Sequence, residues 1–180
     1  MMDSAIQGYP THNNPIKYER IGIDYMIEAL DHVNIVVKDL EGMIRFYRDA
    51  LGFKLSKRVV ISGEWIEGVV GLKAVEADVV YLEMQEGPRI ELIHYRSPIG
   101  KKQESLGEPN TFGIRHIAFR VSEIDDLVAQ LKKEGVPFFS QVLQVPDTQV
   151  KYAGGMRKRL VYFQDPEGNL LELCEYAKPK

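Results

Sequence analysis

The chain has 180 residues, of which 44% are hydrophobic and 27% charged, and its formal net charge is −3. This composition is typical of a globular protein, and the small negative charge gives no reason to expect nucleic acid or a membrane surface as a partner. A single cysteine excludes an internal disulfide, no signal-peptide pattern opens the chain, and no apolar run approaches the roughly 18 residues that span a bilayer. We therefore expect a cytoplasmic protein without membrane segments.

The first predicted module follows an N-terminal arm. Residues 1–27 show no sustained hydrophobic period and predict this arm, and the module covers residues 28–96. It opens with a strand at 32–37 and continues into a helix, because Asp39 is a suitable N-cap and apolar residues recur after it at helical spacing. Three extended segments are then predicted, at 53–61, 79–84 and 90–95.

The second predicted module repeats this order after a linker. Residues 97–112 are rich in Pro, Gly and Lys and predict the linker, and residues 113–177 form the module. Its first strand is followed by a predicted helix. Ser122 and Asp125 would form a capping box at the start of this helix, and Gly135 would end it. Extended segments follow at 138–145, 159–164 and 170–176. The sequence therefore predicts an α+β fold of two tandem βαβββ modules that form a curved mixed sheet.

Each module carries a histidine in its first strand and a glutamate in its last. The residues are His32 and Glu91 in the first module, and His116 and Glu172 in the second. Because side chains alternate along a strand, all four fall on the face away from the predicted helices, whereas His94 falls on the other face. A lone strand histidine is usually structural, but four residues at equivalent points of a repeat indicate one divalent metal site. Nitrogen and oxygen ligands suit Zn, Ni, Co, Mn and Fe alike.

The chain resembles the vicinal-oxygen-chelate superfamily, the glyoxalase, bleomycin-resistance and extradiol-dioxygenase group, over about residues 28–176. The resemblance rests on the segments Leu30-Asp31-His32-Val33, Leu51-Gly52-Phe53, Gly113 to Phe119 and Phe163 to Leu173. It implies that the two modules form one cleft that contains a divalent metal. It also implies that the metal ligands are His32, Glu91, His116 and Glu172.

The ligand set helps to choose among members of this superfamily. Two histidines and two glutamates look most like glyoxalase I, whereas methylmalonyl-CoA epimerases generally have a glutamine at the position of Glu91. The segment from Tyr162 to Glu172 fits the closing motif of extradiol dioxygenases, but residues 153–155 lack the histidine that this motif requires. We therefore expect a metal-dependent lyase or isomerase that abstracts a proton next to a metal-bound carbonyl. Glu172 is the first candidate for the base and Glu91 the second.

Two alternatives stay open at this stage. One is an iron(II) dioxygenase of the same superfamily, which would consume oxygen. The other is a metal-free protein that binds small molecules or drugs, as resistance-type members do, although two intact His-Glu pairs would then have no explanation.

The substrate is expected to be a small molecule, either a thioester or another carbonyl compound. Asn34 shares the face of His32, and a positive cluster that includes Arg157 and Arg159 precedes the last strands, with Tyr152 nearby. These four are the predicted substrate-binding residues, and the arginines would hold an anionic tail. The competing interpretation of the cluster is a solvated loop flank. Cys174 is expected to be a buried, inert thiol, and the resemblance together with the N-terminal arm favours a homodimer.

Overall fold

The computed structural model describes residues 27–178. The predicted N-terminal arm, residues 1–27, therefore lies outside the described residues apart from Ile27. Within the described part, the strands are β1 (His32–Val36), β2 (Lys54–Ser62), β3 (Glu76–Glu83), β4 (Arg89–Ser97), β5 (His116–Arg120), β6 (Leu143–Gln144), β7 (Arg157–Gln164) and β8 (Leu170–Ala177). The α-helices are α1 (Leu40–Arg45), α2 (Glu64–Val70) and α3 (Ile124–Lys133). None of the described helices combines the length and apolar character needed to cross a bilayer.

The strands form two four-stranded mixed sheets, one in each module. Their orders are β1-β4-β3-β2 and β5-β8-β7-β6. In each sheet the first strand pairs parallel with the last, and the remaining pairs are antiparallel. This repeated topology confirms the α+β fold of paired modules.

The first helix starts as the sequence predicts. The Asp39 carboxylate accepts a hydrogen bond from Gly42 N–H at 2.9 Å, so it caps α1. The chain then continues through a π-helical turn, Phe46–Ala50. Met43, Ile44 and Tyr47 are buried along this segment and anchor it on the sheet.

Three local features differ from the prediction. Helix α2 lies between β2 and β3, where the repeat predicts no helix. Helix α3 lacks the expected capping box, because its N-cap is Glu123 without a side-chain cap bond, and Ile124 N–H donates instead to Glu175 Oε1 at 3.2 Å. The extended segment predicted at 138–145 is reduced to the two residues of β6 and an isolated bridge from Phe138 to Phe163.

The two modules pack through their helix-facing sides. Phe46, Leu51, Ile117 and Phe119 contact the cores of both modules, and the Phe119 ring meets the Phe53 ring edge-on at 5.7 Å. Ile117 and Phe119 occupy the positions of β5 that alternate with His116, so they point to the opposite face from this histidine. We call the contact made by Phe46, Leu51, Ile117 and Phe119 the seam. The ligand-bearing sheet faces therefore lie away from the seam.

The turn before β8 joins the second module to the first. The Glu167 carboxylate accepts hydrogen bonds from the backbone N–H groups of Lys38, at 2.7 and 3.0 Å, and of Asp39, at 2.6 Å. The buried hydroxyl of Tyr47 donates to Asp165 Oδ2 at 3.2 Å. These bonds fix the second module at the N-terminus of α1.

Candidate metal and substrate site

The first His-Glu pair is assembled on the open face of the first sheet. His32 Nε2 lies 3.4 Å from Glu91 Oε2. On the other side of the ring, His32 Nδ1 lies 2.8 Å from Asp31 Oδ2, and Arg89 also pairs with this carboxylate. A carboxylate on one ring nitrogen fixes the ring orientation and leaves the other nitrogen free to bind a metal, which is the common arrangement of metal-binding histidines.

The second pair has the same geometry on the second sheet. His116 Nε2 lies 3.4 Å from Glu172 Oε2, and the Glu172 side chain is only 4% exposed. The ring of Tyr162, which is the register partner of Glu172 on β7, lies 5.0 Å from the His116 ring. The repeat in the sequence thus corresponds to two matching pairs of donor atoms.

The two glutamates differ in their other neighbours. Asn34 donates to Glu91 Oε2 at 3.0 Å, whereas the position that corresponds to Asn34 in the second module is Ala118. Glu172 instead has the Lys158 ammonium 2.7 Å from Oε1. Although Oε1 is buried, it receives no well-directed hydrogen bond. Glu91 therefore has a neutral donor beside it, and Glu172 has a cation.

Burial and charge shift the pKa values of the groups around the glutamates. A hydrogen bond to Glu91 is the main cause that raises the pKa of the Tyr81 hydroxyl, and burial adds to it. Burial, followed by the charge of Glu172, raises the pKa of Tyr162. Burial is the largest single influence on the pKa of Lys158 and acts to lower it, but the contact with Glu172, its charge and the charges of Cys174 and Tyr176 together raise the pKa. Both tyrosines therefore keep their protons and Lys158 keeps its charge at neutral pH.

The predicted substrate-binding residues take different positions. Asn34 lies at the first pair, as described above. The Tyr152 ring lies 5.3 Å from the Tyr176 ring, near the far end of β8. Arg157 pairs with Asp147 at 3.4 Å. Arg159 is next to Lys158 on β7, so its side chain points to the opposite face of the sheet, toward α3. There it pairs with Asp125 at 2.6 Å and Glu175 at 3.3 Å.

Sequence reasoning missed two residues of the site. Lys158 belongs to the positive cluster, and the alternation of β7 would have placed it on the face of Glu172, since Lys158 and Tyr162 are four positions apart on one strand. Asp31 directly precedes His32, but its contact with the ring nitrogen depends on a rotamer that the sequence does not specify.

The structure brings each His-Glu pair together but does not bring the two pairs together. Among residues 27–178, no three His, Cys, Asp or Glu side chains converge on a point that could hold a metal ion. Within these residues the four predicted ligands therefore do not meet in one cluster, and the single four-ligand site stays a prediction. The reason is the seam, which joins the modules through the faces opposite to the pairs.

Each pair nevertheless fits half of a metal site. Nitrogen and oxygen ligands lie about 2.0–2.2 Å from a bound zinc ion, and one ion at that distance from both atoms spans a gap of 3.4 Å. The buried Oε1 of Glu172 is a further oxygen suited to a cation, and the Lys158 ammonium lies 2.7 Å from it. The donor chemistry and the local geometry both suit a divalent ion.

Comparisons with known proteins agree with the fold. The chain is 31% identical to the uncharacterized protein YaeR of Escherichia coli (strain K12) over 150 residues, which cover 83% of this chain and 97% of that protein. It is 28% identical to a 2-epi-5-epi-valiolone epimerase of Actinomyces sp over 149 residues, 81% of this chain and 78% of that enzyme. Among solved structures, a glyoxalase family protein from Bacillus cereus superposes with a TM-score of 0.72 and 28% identity, and covers 85% of this chain and 97% of that one.

The family itself is shown by a match along most of the chain. The family model described as Glyoxalase/Bleomycin resistance protein/Dioxygenase superfamily matches residues 29–173. The match includes both His-Glu pairs and confirms the resemblance drawn from the sequence motifs. The chain belongs to the glyoxalase/bleomycin resistance protein/dioxygenase superfamily.

Proposed function

We propose that the protein is a metal-dependent lyase or isomerase that removes a proton from the carbon next to a metal-bound carbonyl, in the manner of glyoxalase I or an epimerase. The observation that carries the proposal is the repeated pair of donor atoms, His32 with Glu91 and His116 with Glu172, each 3.4 Å apart. The similarity to an epimerase of Actinomyces sp supports this reaction class.

A divalent ion held by these pairs would polarise a substrate carbonyl as a Lewis acid and so make the neighbouring C–H more acidic. The ligands would be His32, Glu91, His116 and Glu172. Asp31 holds His32 in the orientation that presents Nε2.

Glu172 is the residue that we propose to carry the proton. Its Oε2 faces His116, while Oε1 lies 2.7 Å from the Lys158 ammonium, so Oε1 would accept a proton from carbon once that ammonium has moved away. Glu91 is the equivalent group of the other pair. An epimerase must take a proton from one side of the carbon and return it to the other, and two carboxylates, one from each pair, would suit this task.

We further propose that the functional unit is a homodimer in which each metal site takes one pair from each chain. The two pairs of one chain lie on faces directed away from the seam, and no three ligands converge among the described residues. The histidine side chains are also accessible, at 38% and 33% exposure for His32 and His116, as an intermolecular site requires. A two-fold axis would make two identical sites per dimer.

The test is elemental analysis of the purified, metal-replete protein together with His32→Ala, His116→Ala and Glu172→Ala. We expect about one divalent metal per chain in the parent protein and little in the variants. The matched control is His94→Ala, because His94 Nδ1 lies 3.1 Å from the carbonyl oxygen of Val37 on the opposite sheet face. This variant should keep its metal.

A mixed dimer tests the shared site directly. When His32→Ala and His116→Ala chains are co-expressed, a heterodimer regains one intact site, so about half of the parental metal content should return. No recovery in the isolated heterodimer would refute the two-chain site. No metal in the parent protein with any ion tried would refute the metal-enzyme proposal and favour metal-free binding.

The element found then directs the assay. For a redox-inactive ion, we expect deuterium from D₂O to appear next to the carbonyl of a turned-over substrate, and loss of this exchange in Glu172→Gln. Iron together with oxygen consumption would instead point to dioxygenase chemistry.

A further inference from the structure

One cation lies inside the candidate site. Lys158 projects from β7 onto the face of Glu172, and its side chain is only 17% exposed. Its ammonium lies 2.7 Å from Glu172 Oε1. A metal ion bound to Glu172 would compete with this ammonium for the carboxylate. The equivalent position of the first module is Ala77, so this cation is present at one half of the site and not at the other.

A second cation lies further along the same face. The Arg120 guanidinium lies 5.7 Å from the centre of the Tyr176 ring, and the Lys158 ammonium lies 5.8 Å from the same centre. Lys158 is the direct register partner of Tyr176, whereas Arg120 lies diagonally across on β5. The two cations therefore flank one aromatic ring. Among the described residues, no carboxylate forms an ion pair with Arg120.

One of the two cations, Arg120, lines a groove that could receive a ligand. The groove lies at the end of β5 and β8 and is lined by Arg120, Val121, Ser122, Glu123, Glu175, Tyr176 and Ala177. Glu175 in this lining is already engaged by Arg159 and by the Ile124 N–H. Arg120 is therefore the cation of the groove that is available to a ligand, and Glu123 is the other charged side chain of the lining.

We propose that a metal ion displaces Lys158 from Glu172, and that the released ammonium, together with Arg120, binds an anionic group of the substrate. This inference rests on the proposed metal-dependent function. It narrows the substrate class to carbonyl compounds that carry a carboxylate or phosphate within a few bonds of the reacting C–H. It also makes anion binding dependent on the metal. The charge of Lys158 is paired with Glu172 until the carboxylate binds the metal instead.

The first readout is metal affinity, measured by calorimetric titration of the full-length protein with Zn²⁺. Lys158→Met keeps the length of the side chain but removes the cation that competes with the metal for Glu172. We expect it to bind zinc about tenfold more tightly than the parent protein. The control is Lys133→Met, which removes the same charge from the exposed last turn of α3 and should leave zinc affinity unchanged. Thermal unfolding checks that both variants are folded.

The second readout is anion binding, followed by NMR titration with acetate, methyl phosphate and acetamide. In the parent protein, zinc should strengthen binding of acetate or methyl phosphate at least fivefold, and the stronger of the two identifies the substrate anion. Acetamide has nearly the shape of acetate without its charge and should show no such gain. Lys158→Met should lose most of the zinc-dependent gain, and Arg120→Gln, a change at an exposed side chain, should lose part of it.

The outcomes separate this inference from the proposed function. If the parent protein binds zinc but Lys158→Met shows the parental zinc affinity and the full anion gain, the anion binds at the metal alone and the inference is overturned while the metal site stands. If the parent protein binds no metal, both are overturned.

Discussion

Replacing Glu167 by alanine tests whether the turn before β8 holds the two modules together. The Glu167 carboxylate receives the N–H groups of Lys38 and Asp39 at 2.6–3.0 Å. Asp39 is the N-cap of α1, so its N–H is one of the donors that a helix start leaves unpaired, and Lys38 precedes it. Hydrogen bonds to a charged group contribute roughly 1.5–3 kcal/mol each when shielded, and both donors here are exposed. We therefore expect Glu167→Ala to lower the free energy of unfolding by about 1.5 kcal/mol in total.

For a chain of this length, 1 kcal/mol corresponds to roughly 2–4 °C in Tm, so Glu167→Ala should unfold about 3–6 °C below the parent protein. Differential scanning calorimetry measures this shift. Glu167→Gln retains an oxygen that can accept one N–H and should lose about half as much. Glu86→Ala, at an exposed position in the turn between β3 and β4, is the control and should stay within 1 °C. A Tm of Glu167→Ala equal to that of Glu86→Ala would refute the role of this turn.

Further predictions concern the same turn and the site. Tyr47→Phe should cost about 1 kcal/mol in urea unfolding, because it removes the buried hydrogen bond to Asp165. Burial raises the pKa of Asp165 above 3.8 despite its hydrogen bonds. The stability that protonated Asp165 contributes is therefore fully present below pH 3.8 and is lost as the pH rises through the pKa of Asp165 in the folded protein. In Asp165→Asn, this decrease in the free energy of unfolding with rising pH should be absent. Asp31→Asn should weaken metal binding about tenfold, since it loosens the orientation of His32; unchanged affinity in a metal titration would contradict this. Arg159→Ala should lower Tm through loss of its pairs with Asp125 and Glu175 while metal content stays at the parental level.

The repeat and the alternation of strand residues were enough to predict the sheets and the two His-Glu pairs. Both signals are local. A histidine and a glutamate on the same face of two paired strands come close whenever the strands pair in the observed register, as β1 with β4 and β5 with β8 do.

The relation between the modules could not be predicted in the same way. It depends on which sheet faces become buried together, and the seam of Phe46, Leu51, Ile117 and Phe119 decides this. The start of α3 was missed for a related reason, since the Glu175 carboxylate that accepts the Ile124 N–H comes from a strand about fifty residues later. The face of Arg159, by contrast, follows from the alternation of β7 and could have been predicted.

The seam has a consequence for how such a chain could arise by duplication. A half-length ancestor containing only the first module would expose Phe46 and Leu51 to water, and one containing only the second would expose Ile117 and Phe119. Either half would associate with a second copy to bury this surface. Fusion of two copies would turn that association into an intramolecular one, independent of protein concentration. It would also free the two halves to diverge, so that Lys158 could arise in one half while Ala77 occupies its place in the other.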